Sequence, residues 1–261
     1  MSDPFGPDPW ITLSRLTPAR IGLGRAGAGL PTREVLAFSL AHARARDAVH
    51  APFDAEAVGA AIQALGFETL EVASAAPDRA TYLRRPDLGR ALSPESLEAL
   101  RARPKAPIDL AIVVADGLSS AAVHAQAAPL LGALKPLIDK AGWRTGPVVL
   151  AHQARVALGD AIGEALGVRA VVVLIGERPG LSSPDSLGAY LTFAPRVGRS
   201  DAERNCLSNI RPEGLVFEEA AFKLAWLAGE ALRLGLTGVG LKDESDLARL
   251  PSSGALSLPG A

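Results

Sequence analysis

The chain has 261 residues, 48% of them hydrophobic, enough for one large domain or for a domain with a smaller appendage. Its 27 basic and 28 acidic side chains nearly cancel, which excludes a global electrostatic pull toward nucleic acid or an anionic membrane. A single cysteine, Cys206, excludes an intramolecular disulfide and a cysteine-rich zinc site, and His42, His50, His124 and His152 show no metal-ligand spacing. No apolar run approaches the roughly 20 residues that span a bilayer. The opening Met-Ser-Asp-Pro-Phe-Gly-Pro also lacks the basic and apolar regions of a secretory signal, so the cytoplasm is the expected compartment.

Residues 1–20 are rich in Pro and Gly and are expected to begin without regular structure. A glycine-dense loop follows, Gly22-Leu-Gly24-Arg-Ala-Gly27-Ala-Gly29, and then a helix over residues 34–49 with Pro31 at its cap or first turn. Leu36, Leu40 and Ala43 share one face of it, and exposed apolar surface there implies dependence on a partner. A second helix is predicted over 54–65, with Asp54 as N-cap and Gly66 beyond its end. Residues 76–92 read as a loop, Ser93-Pro-Glu-Ser opens a short helix to Ala102, and Arg103-Pro-Lys-Ala-Pro107 reads as a linker.

From Asp109 the pattern changes. Apolar runs at 110–115, 148–151, 170–175 and 190–193 predict strands, with helices over 120–141 and 156–166 between the first three. The runs are apolar throughout rather than alternating, which implies burial on both faces in a parallel sheet between helices. A last amphipathic helix is predicted over 218–234, and the tail after Glu244, ending in Pro251-Ser-Ser-Gly, is expected to fray.

Gly22-x-Gly24-x-x-Gly27 matches the dinucleotide fingerprint as a string, but no buried strand precedes it and Pro31 places the helix start after the glycines. The alternatives are a loop that positions Arg20 and Arg25, or an anion or partner contact by those arginines. Ligands of open parallel sheets sit beyond the carboxyl ends of the strands. Four polar or glycine-containing loops are expected there: Asp116-Gly117-Leu-Ser119-Ser120, His152-Gln153-Ala-Arg155-Val156, Gly176-Glu177-Arg178-Pro179-Gly180 and Pro195-Arg196. Ser119 or Ser120 would cap the following helix. No nucleophile elbow or phosphate loop is present, and His152 has no carboxylate partner assignable from sequence. Cys206, as a lone cysteine, is either a small buried hydrophobe or part of a pocket wall. The chain therefore reads as a protein that grips a large cofactor with the loops at its strand ends, and not as a complete enzyme on its own. A stand-alone nucleotide-cofactor oxidoreductase and a non-catalytic scaffold are the alternatives.

Arg20-Ile-Gly-Leu-Gly-Arg-Ala-Gly27, Asp116-Gly-Leu-Ser119, Ile175-Gly-Glu-Arg-Pro-Gly-Leu181 and Cys206-Leu-Ser-Asn-Ile210 together resemble the small (light) subunit of ethanolamine ammonia-lyase, from about Thr17 to Gly240. The resemblance implies an enzyme that converts ethanolamine to acetaldehyde and ammonia by adenosylcobalamin-dependent radical chemistry. It implies a hetero-oligomer in which a TIM-barrel large subunit holds the substrate and the cofactor lies between the subunits. For this chain it implies an α/β fold: a mainly helical arm over 1–105, then a Rossmann-like, mostly parallel, cobalamin-binding domain over 106–261. Three cobalamin contacts carry over: Val156 in Ala154-Arg-Val156, Glu177 in Gly-Glu-Arg-Pro-Gly, and Cys206 before Leu-Ser-Asn. The segment 197–205 is about one residue shorter than in some members, so Cys206 rests on its local motif. Asp-x-His-x-x-Gly, the signature of a histidine lower ligand, is absent, which implies base-on binding. Some members carry a longer N-terminal extension tied to a bacterial microcompartment, whereas the segment before Thr17 is short here.

Overall fold

A computed structural model of the chain describes residues 9–17, 19–104 and 106–248. The expectations for residues 1–8 and for the tail from Pro251 lie outside the described residues. Helix α1 (Pro9–Ser14) stands within the Pro- and Gly-rich start, and α2 (Thr32–His50) follows with Pro31 at its cap. Leu36 is 64% exposed and Leu40 51%, and Val35 and Phe38 are also exposed, so the apolar face of α2 is uncovered in the isolated chain.

Among the described residues, β1 (Thr69–Ala73), β2 (Leu110–Ala115), β3 (Val148–His152), β4 (Ala170–Gly176), β5 (Leu187–Phe193) and β6 (Asn205–Ile210) form one sheet in the order β1-β3-β2-β4-β5-β6. The first four run parallel, and β5 is antiparallel to both β4 and β6. Two strands were not foreseen. β1 lies inside the segment expected to be helical and β6 is polar in sequence, and both are edge strands that need no continuous apolar run. Because β1 pairs with β3 from Thr69↔Val148 to Ala73↔His152, the sheet begins well before residue 106.

Two helical layers cover the sheet. On one face α3 (Ala55–Gln63), α6 (Ser120–Ala141) and α8 (Phe217–Leu234) enclose Ile112, Val114, Leu150, Leu174 and Leu191. On the other, α5 (Pro94–Arg101) and α7 (Leu158–Leu166) pack on Val113, Val149, Val171 and Val173. Leu130, Leu131, Leu134 and Ile138 of α6 are at most 2% exposed, and each contributes roughly 1.5–3 kcal/mol by burial. Caps fall where the sequence puts them: Asp54, Ser93 and Ser119 accept backbone N–H groups of Ala57, Ser96 and Ala122.

The supposed loop at 76–92 contains α4 (Arg79–Arg84), capped by Asp78, and a short 3-10 turn at Leu88–Arg90. The tail includes a short helix α9 (Ser245–Ala248). No helix among the described residues is long and apolar enough to cross a membrane.

Candidate functional site

Three of the four expected loops converge at the carboxyl edge of β2, β3 and β4. The fourth does not. Phe193 pairs with Ala170, so the antiparallel β5 delivers Pro195-Arg196 to the opposite edge of the sheet. Strand direction is a matter of which neighbour supplies the hydrogen bonds, and an apolar run carries no record of it.

Gly117, Leu118, Arg155, Val156, Ile175, Gly176, Glu177 and Arg178 line one cavity of about 370 Å³, closed by Tyr82 of α4 and Tyr190 of β5. Another cavity of about 350 Å³ lies at the far edge around Arg103, Pro104, residues 106–108 and residues 144–147, away from these loops. Packing around the first cavity is tight. A Cβ on Gly176 would lie 2.0 Å from the Ser119 carbonyl oxygen and 2.7 Å from that of Asp116. Only a glycine lets the β4 end approach the loop after β2 so closely.

Asp116 is 1% exposed, and its oxygens accept the Gln153 and Ala154 N–H groups, each at 2.9 Å. Burial pushes its carboxyl above the usual range, opposed by those two bonds and by Arg79, whose Nη1 lies 3.6 Å away. Arg79 also donates to Val49 O and Gly117 O, at 2.8 Å each, joining the end of α2 to the loop after β2. Tyr82 donates to Ala154 O at 3.1 Å, and its ring lies between the guanidinium groups of Arg79 (4.8 Å) and Arg155 (4.3 Å). Burial pushes the Tyr82 hydroxyl up to about 12.

Val156 sits half-buried in the turn before α7, whose first residue is Leu158, two positions later than predicted. Glu177 is half-buried at the end of β4. Its carboxylate accepts the Ser186 hydroxyl and, at 3.2 Å, the Asn209 N–H. Val156 and Glu177 therefore share one wall. Cys206 lies lower, opposite Tyr190 in the β5–β6 register, and it is exposed. The reading of Cys206 as a buried hydrophobe is overturned: Leu207 and Ile210 of β6 enter the α8-side core, leaving Cys206 and Ser208 on the open face. Tyr190 links this face to the cavity. Burial, and after it a hydrogen bond with Cys206, raise its hydroxyl well above the usual phenol range.

His152 has a carboxylate neighbour after all. Its Nε2 is 3.1 Å from Glu71 Oε2, an approach that required strand β1. The imidazole packs edge-on to Phe53 at 5.2 Å, and His152 is not among the residues lining the cavity. The glycine loop has no strand before it, and α2 starts only at Thr32. Gly22, Gly24 and Gly27 adopt φ of +61°, +74° and +63°, which accounts for glycine at those positions. Arg20 reaches Leu181 O at 3.3 Å in the loop after β4 and lies over the Phe38 ring. Among the described residues no group of three or more His, Cys, Asp or Glu is arranged to hold a metal.

Tyr82 and Tyr190 were the residues sequence reasoning missed. Their one signal was scarcity, since the chain has only two tyrosines.

Arg155 lines the cavity with its guanidinium packed on the Tyr82 ring, and Cys206 and Ser208 of β6 leave an open face next to it. Ligand pockets run about 300–1,000 Å³. At about 370 Å³ this cavity lies at the small end of that range.

The family model described as "Ethanolamine ammonia-lyase light chain" matches residues 7–242. Among curated proteins, the chain is 57% identical to the ethanolamine ammonia-lyase small subunit of Azotobacter vinelandii, covering 98% of this chain and 96% of that one. It is 58% identical to the one of Bradyrhizobium diazoefficiens over 99% and 100% of the two chains. It is 57% identical to the one of Rhodopseudomonas palustris over 95% of each.

Proposed function

The chain belongs to the ethanolamine ammonia-lyase light-chain family, and from that membership we propose that it is the small subunit of an ethanolamine ammonia-lyase, working with a large subunit to convert ethanolamine to acetaldehyde and ammonia. Adenosylcobalamin, bound base-on between the subunits, supplies the radical chemistry. This chain's part is to cover one side of that cofactor. Val156 offers an apolar contact. The Glu177 carboxylate accepts a hydrogen bond from an amide of the corrin periphery, and Cys206 meets the macrocycle on the open face of the sheet. The groups that hold the substrate, and most of the catalytic groups, belong to the large subunit.

The observation that carries this reading is the shared wall of Val156 and Glu177, continued through Tyr190 to Cys206. The test mixes the purified chain with its large subunit, adenosylcobalamin and ethanolamine. Acetaldehyde should form only when all are present. Turnover of a nicotinamide cofactor by the chain alone, or full activity without the chain, would overturn the reading. For the site, Glu177→Ala should weaken cobalamin binding to the assembled enzyme, and an unchanged affinity would remove Glu177 from it.

A further inference from the structure

Val156 does not hold its own place. It lies in the turn between β3 and α7, and groups outside that turn grip it. The Asp116 carboxylate takes the Gln153 N–H on Oδ2 and the Ala154 N–H on Oδ1. The Tyr82 hydroxyl holds the Ala154 carbonyl, and the Gly89 carbonyl accepts the Arg155 N–H at 2.8 Å. The grip has strain to resist: Gln153 has φ +52°, a left-handed conformation that a non-glycine residue keeps only where its surroundings enforce it. Arg79 completes the clamp, with Nη1 3.4 Å from Gln153 Oε1 and 3.6 Å from Asp116. Directly after the clamped residues come Arg155 and Val156, both lining the cavity.

We infer that Asp116 is a positioning residue for the cofactor site: by holding the Gln153 and Ala154 N–H groups it sets the turn that presents Arg155 and Val156 to the cobalamin. This rests on the reading of the cavity as part of the cobalamin site. Asp116 itself is not among the residues that line the cavity. Asn at this position keeps the shape and loses half the clamp, because its amide oxygen accepts one N–H while its NH2 faces the other, donor against donor.

The test uses the assembled enzyme and an absorbance titration with adenosylcobalamin. Asp116→Asn should weaken binding about tenfold or more, the low end for losing a hydrogen bond to a charged group. Amide exchange in the segment 153–156 should quicken in the cofactor-free complex. The decisive readout is a double-mutant cycle with Val156→Ala. If Asp116 acts through the turn, the two effects on Kd are clearly less than multiplicative. A merely structural role gives independent, multiplying effects, and that result overturns the inference. So does an unchanged affinity in Asp116→Asn while Val156→Ala and Glu177→Ala both weaken binding. If those two variants bind as tightly as the parent, the cofactor reading itself fails. Should Asp116→Asn not assemble, Tyr82→Phe removes only the hydroxyl that holds Ala154 and enters the same cycle, with an expected loss of about threefold.

Discussion

Arg204 and Asp160 form a bidentate pair, Nη1 to Oδ1 and Nη2 to Oδ2 at 2.7 Å each, with both side chains 2% exposed. Arg204 also donates to Thr192 Oγ1 at 2.9 Å and to Arg199 O at 3.0 Å, so it ties α7 to β5 and to the loop leading into β6. Arg204→Met keeps most of the volume and strands the Asp160 carboxylate in the interior. Losing one partner of a buried pair costs about 3–5 kcal/mol, a large part of the roughly 5–15 kcal/mol that holds a typical domain folded. With a urea slope of about 2–3 kcal/mol per molar, the unfolding midpoint should fall by roughly 1–2.5 M. Trp143 and Trp226, half-buried against the core, report the transition by fluorescence. The loss should also depend on pH in a stated direction. Burial already pushes the Asp160 carboxyl above the usual range, with Arg204 opposing. Without Arg204 it rises further, so the folded state binds a proton that the unfolded state has released. Stability of the variant should therefore be best near the unfolded carboxylate value and decline as pH rises through the folded one, by up to about 1.4 kcal/mol per pH unit. Adding Asp160→Leu removes the stranded charge and should recover most of the midpoint. A variant Arg204→Met with an unchanged midpoint, or a double variant no more stable than the single one, would refute the reasoning.

Gly176→Ala should destabilise by about 3 kcal/mol, since its Cβ meets backbone carbonyls that cannot swing aside, and a thermal melt within 2 °C of the parent would contradict that contact. The two tyrosines both have raised hydroxyls. At pH 10.5 the folded chain should show little phenolate absorbance near 295 nm, while the urea-unfolded chain shows more than half of the full signal. Because the folded state holds those protons longer, stability should fall as pH rises from 10 toward 12. Cys206 is exposed, so iodoacetamide should alkylate the folded chain with large subunit and without cobalamin, and bound cobalamin should slow the reaction. Equal rates with and without cobalamin would take Cys206 out of the cofactor cover.

How much of the fold was legible depended on whether a residue's state is set locally. Asp54, Ser93 and Ser119 cap the helices they precede because capping involves only the next three residues. Strands β2, β3 and β4 were readable because full burial on both faces demands an unbroken apolar run. The three loops at their ends followed from that, and so did most of the cavity. The tyrosines that close it did not, because nothing near Tyr82 in the chain tells that α4 folds over the turn after β3.

The sequence by itself determined the apolar centre of the sheet, the helix ends, and a set of motifs specific enough to announce a family. Only the tertiary structure decided which strands stand at the edges, which way β5 runs, and hence that Pro195-Arg196 leaves the site while Cys206 faces outward beside Tyr190. Glu71 and His152 meet for the same reason, across the β1–β3 pair. Edge membership and strand direction are settled by hydrogen bonds to a neighbour far away in the chain. Backbone N–H and C=O groups are the same in every residue but proline, so a side-chain pattern holds no record of which neighbour they find.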